Sequence, residues 1–531
     1  MSSIDPATTT VLARDSNQAI GLARYAIDFI EQRGVYKNSK VDESVVERVN
    51  LFHTDSVLCA LSALAMKTAA PTILRAEAIK RYSIPSGAPQ TLPGAFVFGH
   101  HKKVSPEKAI VANTSAVREW DSNGTNFGYR PELKHTAGEF GHNDFYPVAV
   151  AAAQLAKEDG LMALRAMVCI DEIRGRLAEV FSLKTYKIDH VVHGAIASAA
   201  VYGAILGATA DEIEGAIGMF VAHAIPWRAI RAGKQLSDSK GASAAISTEF
   251  AVLCMQRSMR GFMGPRDIFR NPENMFRQFV TTAGDSPFDL HLSMSGDDFA
   301  VMGMHFKLGL YEHQSAGALQ GVIDLVQRHP ELAEKPDSIK SIVITAYEPA
   351  FGIIGDPAKR DPKTRQSADH SMLYIVSTLL RKAIECVASN GRAGLGASSD
   401  DAWKNLMLEP EDYGSEAIFN PSTRALMAKI QFEHGGAEFD QRYPEGIPTQ
   451  VKITTDQSTH DSGLVMFPGG HARNTTANLQ DILATKFSMM GKLGVKKSKC
   501  LIATLGKLGS LNRKQLAALY DFELLDGGTF E

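Results

Sequence analysis

The sequence predicts a mainly helical protein carrying an α+β part, and three observations lead there. Apolar residues recur at helical spacing from about Asn17 to Leu64 and again from Tyr146 to Phe181. After about Asp297 the chain turns to segments rich in β-branched residues and bounded by turn signals. Helical spacing returns at the end, over Leu479 to Leu493 and Asn512 to Leu525. The boundaries that follow are a first helical section over 1–299, an α+β section over 300–474, and terminal helices over 475–531 that pack back on the helical body.

Each element has a local cause. The run PVAVAAAQLAKEDGLMALRAMVCIDEIRGRLAEVF reads as two helices broken at Asp159-Gly160. HGAIASAAVYGAILGA is small enough throughout to be a closely packed core helix. Thr209 and Glu212 have capping-box spacing ahead of the stripe Ile213, Ile217, Phe220 and Val221, so a helix starts there. SIKSIVITAYEPAF and TQVKITTDQSTHDSGLVMF read as strands, the second folding into a hairpin. Between them, HQSAGALQGVIDLVQRHPEL and DHSMLYIVSTLLRKAIE read as helices.

Bulk properties narrow the function by exclusion. A chain of 531 residues, 44% hydrophobic and 22% charged, is long enough for two or three domains of ordinary globular composition. A net charge of -3 with no long basic run offers no global field for nucleic acid, so an anionic ligand needs a local cluster. Five scattered cysteines without paired ligand spacing point to reduced thiols, no disulfide and no structural zinc. No apolar stretch reaches the ~20 residues of a membrane span, and the first residues lack a secretory pattern, so a cytoplasmic protein without membrane contact is expected. Walker, dinucleotide and HExxH motifs are absent, and SMSG is not a hydrolase elbow.

What remains is His, Lys, Asp and Tyr. His142, in HTAGEFGHNDFYP, lies in an irregular glycine turn before a helix, where an imidazole can overhang a cleft or simply meet solvent. Asp121 sits beside Trp120 in VREWDSN, as a site carboxylate or a helix-end cap. His190 and His193 share a helical face if the helix has begun, and no third metal ligand follows in pattern. RAIRAGKQLSDSKGAS gathers Arg228, Arg231, Lys234 and Lys240 ahead of a helix, whose N-terminal end suits a carboxylate. Lys307 and His313 open another helix in HFKLGLYEHQSAG. His370 and Tyr374 stand one turn apart in SADHSMLY, where a buried tyrosine is also ordinary core.

Taken in order, FHTDSVLCALSAL, REWDSN, AGEFGH, DEIRG, IDHVVHGAIASAAVYGAILG, SKGASAAI with GFMGP, FKLGLYEHQSA, DHSMLY and FPGGHARN resemble the 2-methylcitrate dehydratase (MmgE/PrpD) family over most of the chain. The resemblance implies a large helical domain built from both chain ends, a smaller inserted α+β lid, and a homodimer. It implies a lyase that needs no cofactor or metal and acts on a small polycarboxylate, dehydrating 2-methylcitrate in propionate breakdown. The same family includes cis-aconitate decarboxylase, so decarboxylation and a non-catalytic polycarboxylate binder are the alternatives. Position by position, Asp121, His142, Tyr374 and His313 match catalytic residues, and His190, Lys240 and Lys307 match substrate-binding ones, with Lys234 a rival to Lys240. Two departures stand out: GYRPELKHT looks inserted before His142, and Asp171 stands where a histidine is expected.

Overall fold

The structure, a computed structural model, describes residues 8–32, 40–85, 94–231 and 235–530. Its first half is framed by α1 (Gln18–Glu31), α2 (Glu43–Ala65), α3 (Ala69–Arg81), α4 (Pro106–Arg118), α5 (Tyr146–Leu155), α6 (Gly160–Val180), α7 (Val191–Ile205), α8 (Ala210–His223) and α9 (Asp238–Ser258). Short polar side chains start these helices by accepting an orphan amide: Asn17 from Ile20, Asp42 from Ser44, and Asp159 from Met162 at the expected break. The capping box of Thr209 and Glu212 is present at α8. Helix α7 is buried from Val191 to Ala204 and packs against α6, α8 and α9, as its all-round small apolar sequence requires. Among the described residues, no single helix is long and apolar enough to cross a membrane.

Short strands lie among these helices: β1 (Thr9–Leu12), β2 (Ala95–Phe96), β3 (Lys103–Val104), β4 (Thr125–Phe127), β5 (Phe140–His142) and β6 (Leu290–Ser293). They pair antiparallel as β1 with β6, β2 with β3, and β4 with β5. Sequence periodicity gave no sign of them, because each is too short to alternate. The apparent insertion forms the far end of the β4–β5 hairpin, where Arg130 and His135 bridge.

The α+β section holds a four-stranded sheet of β7 (Ile339–Ala346), β8 (Ile430–His434), β9 (Thr449–Thr455) and β10 (Thr459–Asp461), in the order β10-β9-β7-β8. Strand β7 runs antiparallel to β9 and parallel to β8, and β9–β10 is the expected hairpin. Alternate residues Thr449, Val451 and Ile453 face inward, and the helix Ala316–Arg328 rests on them through Gly317 and Gly321, where a Cβ would press on Thr449 and Val451. The helix Met372–Asn390 packs beside it.

The end of the chain returns to the first half. Helix Leu479–Gly494 lies on α2, with Gly491 and Gly494 against Leu58 and Leu61. A helix the sequence did not predict follows at Ser498–Leu505, and the helix expected over Asn512 to Leu525 covers only Arg513–Ala517. Beyond it the chain is extended because its amides bond elsewhere: Leu525 to the Gly494 carbonyl, Gly527 to Ala65 and Phe530 to Met66. Phe530 then sets its ring edge-on against Trp120, 5.1 Å away.

Candidate active site

Helix α4 ends at Arg118, and the chain turns sharply so that Asp121 sits at φ 50°, a left-handed conformation that Asp tolerates better than most residues. The turn aims a fully buried carboxylate into a nest of cations. Arg118 Nη1 and Lys307 Nζ both bond to Asp121 Oδ1, and Lys307 Nζ also donates to the Asp121 carbonyl at 2.8 Å. On its other side, Asp121 Oδ2 lies 3.2 Å from His370 Nε2 and 3.8 Å from Lys240 Nζ. Burial pushes the Asp121 carboxyl up, but Arg118, Lys307, His370 and Lys240 together outweigh it and hold it well below the usual carboxylate range.

A second carboxylate closes the network. Lys240 Nζ donates to Asp369 Oδ1 at 2.9 Å, and His370 Nδ1 stands 2.6 Å from the same oxygen. Asp121, Asp369 and His370 are spaced closely enough to hold a cation, but Lys240 and Lys307 already supply the positive charge there. Beneath, the buried Lys486 Nζ donates to the carbonyls of Ser122 and Lys307, at 2.7 and 2.8 Å, and pairs with Asp55 at 2.7 Å. It fixes the Asp121 turn and Lys307 to α2 and the terminal helix.

His142 is the last residue of β5, paired with Thr125, rather than the loop histidine the sequence suggested. Thr125 exchanges both backbone hydrogen bonds with His305 at 3.0 and 2.7 Å, so one short ribbon aligns His142 with the segment bearing Lys307 and His313. A Cβ on Gly194 of α7 would fall 1.9 Å from the Phe145 ring, so glycine there lets the turn after His142 seat directly on α7. His142 Nε2 lies 3.2 Å from Arg118 Nη2. Arginine can only donate, so Nε2 accepts and the ring proton belongs on Nδ1, which is buried without a partner among the described residues. Burial, then Arg118, Lys307 and His190, push the imidazole well below its usual range, leaving it neutral at physiological pH. His190, the N-cap of α7, sets its ring edge-on to His142 at 5.1 Å.

His142 and His190 line a pocket with Arg118, Arg228, Glu312 and Lys359, and Phe127, Phe140 and Ile353 supply its apolar walls. Of the residues singled out in the sequence, these two histidines, Arg228, Arg231 and His370 reach the pocket surface. Asp121, Lys240 and Lys307 form the charged layer directly behind Arg118 and His370. His313 is one step further back, both ring nitrogens unpartnered among the described residues, stacked on His305 at 5.0 Å and beside Phe127. Tyr374 is not brought to this cluster: its hydroxyl donates to the Asp412 carbonyl and its ring packs on Tyr413. His193 also turns away, its Nε2 3.0 Å from the Phe181 carbonyl. Asp171 is a structural carboxylate held by Tyr146 and Arg174. Lys234 lies outside the described residues.

Sequence reasoning missed Arg118, Glu312, Lys359 and the role of Asp369. Glu312 adjoins the quoted His313, and Arg118 stands three residues before Asp121, a helical spacing that could have drawn notice. Lys359 had no signal, since only the tertiary fold carries it to the pocket. Glu312 Oε2 caps its turn by accepting the Gln314 amide at 2.9 Å. Burial, then the nearby Asp121 charge, raises the Glu312 carboxyl to about 7. A neutral imidazole, a carboxyl titrating near neutrality and several fixed cations suit proton transfer on an anionic molecule.

Comparison with known proteins gives a family match for the chain. A family model described as the MmgE/PrpD N-terminal domain matches residues 34–287, and one for the MmgE/PrpD C-terminal domain matches residues 312–384. Arg118, Asp121, His142, His190 and Lys240 fall within the first span, and Glu312, Lys359, Asp369 and His370 within the second. The chain is 25% identical over 316 residues to a 2-methylcitrate dehydratase of Escherichia coli (strain K12), a match covering 58% of this chain and 59% of that protein. It is 23% identical over 401 residues to a 2-methylcitrate dehydratase of Salmonella typhi, covering 73% of this chain and 76% of that protein.

Proposed function

This chain belongs to the MmgE/PrpD family, and on that premise we propose that it is a lyase dehydrating 2-methylcitrate to 2-methylaconitate by acid–base catalysis. The observation that carries the reading is a neutral, pocket-lining His142 whose Nε2 meets Arg118, itself tied to Asp121. Dehydration removes a proton from the carbon beside one carboxylate and expels the hydroxyl from its neighbour. It therefore needs a base, an acid and cations for the charge that develops on the carboxylate.

The residues divide this work. A substrate carboxylate arriving at Arg118 takes over its Nη2 donor in a charge-assisted bond, which frees the Nε2 lone pair of His142 to take the carbon-bound proton. Asp121 acts through Arg118 rather than by touching His142. Arg118 with His190 steadies the growing charge, and the C–O electron pair leaves with the hydroxyl. Glu312 protonates it to water, in place of Tyr374, whose hydroxyl is turned away, and of His313, which stands behind the pocket wall.

The test uses the full-length protein with 2-methylcitrate, citrate and cis-aconitate, following absorbance of a new conjugated alkene and release of carbon dioxide. Alkene formation from 2-methylcitrate without carbon dioxide is expected. His142→Ala should fold normally and lose at least about 10²-fold in turnover; a near-normal rate removes the proposed role. Carbon dioxide from cis-aconitate would replace dehydration by decarboxylation, and tight binding without turnover would mark a non-catalytic binder.

A further inference from the structure

Two cations of the pocket have no carboxylate within ion-pairing distance among the described residues, although Glu312 and Asp356 act on one and Asp189 and Glu139 on the other from further off. Lys359 is 7% exposed and lines the pocket, yet its ammonium makes no hydrogen bond or ion pair among the described residues. Arg228, also lining the pocket, makes none with its side chain among the described residues. The carboxylates whose charge acts on Arg228 bond to other groups. Asp189 is bonded by Arg231, and the oxygens of Glu139 accept from the amides of Phe140 and Lys184 at 2.8 and 2.6 Å. The other cations at the site behave differently, since Arg118, Lys240 and Lys307 each have a carboxylate partner.

The two groups come from different parts of the chain. Arg228 opens the short turn Arg228–Arg231 between α8 and α9. Lys359 closes the turn Pro357–Lys359, which follows β7 in the α+β section. A buried ammonium without a partner is costly, and a second cation sharing its pocket adds repulsion. Burial lowers the Lys359 ammonium to about 8, with Arg228 and Lys240 pushing the same way against Glu312 and Asp356. One anion placed between them satisfies both, with the planar guanidinium offering paired donors and the ammonium a point charge.

We propose that Lys359 and Arg228 form a second carboxylate subsite, which holds the substrate carboxylate remote from His142 and selects three carboxylates over two. The proposal rests on reading this pocket as the polycarboxylate site. It also gives the α+β section a direct hold on the ligand, since Lys359 and Arg228 grip one group from two sections.

Equilibrium binding separates this proposal from the reaction. The probes are propane-1,2,3-tricarboxylate, which has no hydroxyl to lose, and succinate, measured by calorimetry on wild type, Lys359→Met, Lys359→Arg and Arg228→Gln. Wild type should favour the tricarboxylate. Lys359→Met and Arg228→Gln should weaken its binding by about 10- to 100-fold while changing succinate by less than about threefold, with Lys359→Arg restoring most of the loss. Lys359→Met removes an unpaired buried charge, so its melting temperature should hold or rise. Tricarboxylate binding that survives in Lys359→Met, or a loss shared equally by both ligands, overturns the subsite. A wild type that binds neither anion overturns it together with the reading of the pocket. Selective binding without turnover of 2-methylcitrate leaves the subsite standing and removes only the proposed reaction.

Discussion

At Asp121, two lysines, an arginine and a histidine converge on one buried carboxylate, and the proposed proton transfers are built around that convergence. Asp121 stays ionised and fixes Arg118, and Arg118 in turn holds the Nε2 lone pair of His142 on its Nη2 donor. Its negative charge reaches Glu312 as well, where it adds to burial and raises that carboxyl to about 7. A group acting as an acid must hold its proton, so kcat/KM should fall as pH rises through about 7 and keep falling about tenfold per unit above it. Glu312→Gln should lose this falling limb and about 10²–10⁴-fold in rate, because an amide has no proton to give. A wild-type profile that stays level from pH 7 to 9, or a Glu312→Gln enzyme close to wild type, would show that Glu312 is not the acid. His142 and Asp121 were legible in the sequence as candidates, but Arg118 between them was not, because a mediating residue has meaning only once both its partners are in place.

The β4–β5 ribbon is the element on which His142 depends, and it is held against α6 by a close approach. A Cβ on Gly128 would fall 2.0 Å from the Ala178 carbonyl oxygen and 2.5 Å from the Glu179 amide, both backbone atoms that cannot swing aside. Gly128→Ala should therefore lift the ribbon off α6, costing about 1–3 kcal/mol or more of stability and displacing the His142 ring from Arg118. Turnover measured well below the melting temperature should drop more than tenfold, since small misplacements of catalytic groups are expensive. Full activity in a folded Gly128→Ala protein would mean that the ribbon does not set the geometry of His142. Elements with strong local causes were readable in advance: the Asp159 break, the capping box at Thr209, and the β9–β10 hairpin. The ribbon was not, because three residues per strand give no period and its pairing spans the GYRPELKHT segment. The terminal segment after Ala517 misled for the opposite reason, since its apolar residues suggested a helix while its amides are bonded to the ends of α2 and of the helix Leu479–Gly494.

At the scale of the whole molecule, helices from both chain ends and an intervening sheet enclose many ionisable groups, and this gives stability a pH dependence of its own. The switch to β-branched segments announced the sheet, but composition gave no sign that so many of the sixteen histidines would be buried. His53, His193 and His471 are pushed down to about 3, 4 and 3 by burial, and His142, His190, His305 and His313 also lie well below the usual value. A histidine depressed in the folded state stays neutral there while the unfolded chain takes up a proton near pH 6.5. Its contribution is therefore complete above about 6.5 and is lost as pH falls toward the folded value. Carboxyls raised by burial, such as those of Asp55, Asp144 and Glu172, act in the opposite sense, because their stability is lost as pH rises through the folded value. Unfolded carboxyls remain ionised until about pH 4, so between pH 6.5 and about 5 the raised folded carboxyls offset part of the slope that the histidines set. Each histidine contributes up to about 1.4 kcal/mol per pH unit. Urea midpoints should therefore fall from pH 7 to pH 5, by less than the histidines alone would give. His53 offers a clean check, because it is buried in α2 with neither ring nitrogen partnered among the described residues and lies outside the pocket lining. His53→Leu should hold or raise stability at pH 7 and flatten the slope by about one proton's worth, whereas an unchanged slope would mean that His53 takes up its proton equally in both states.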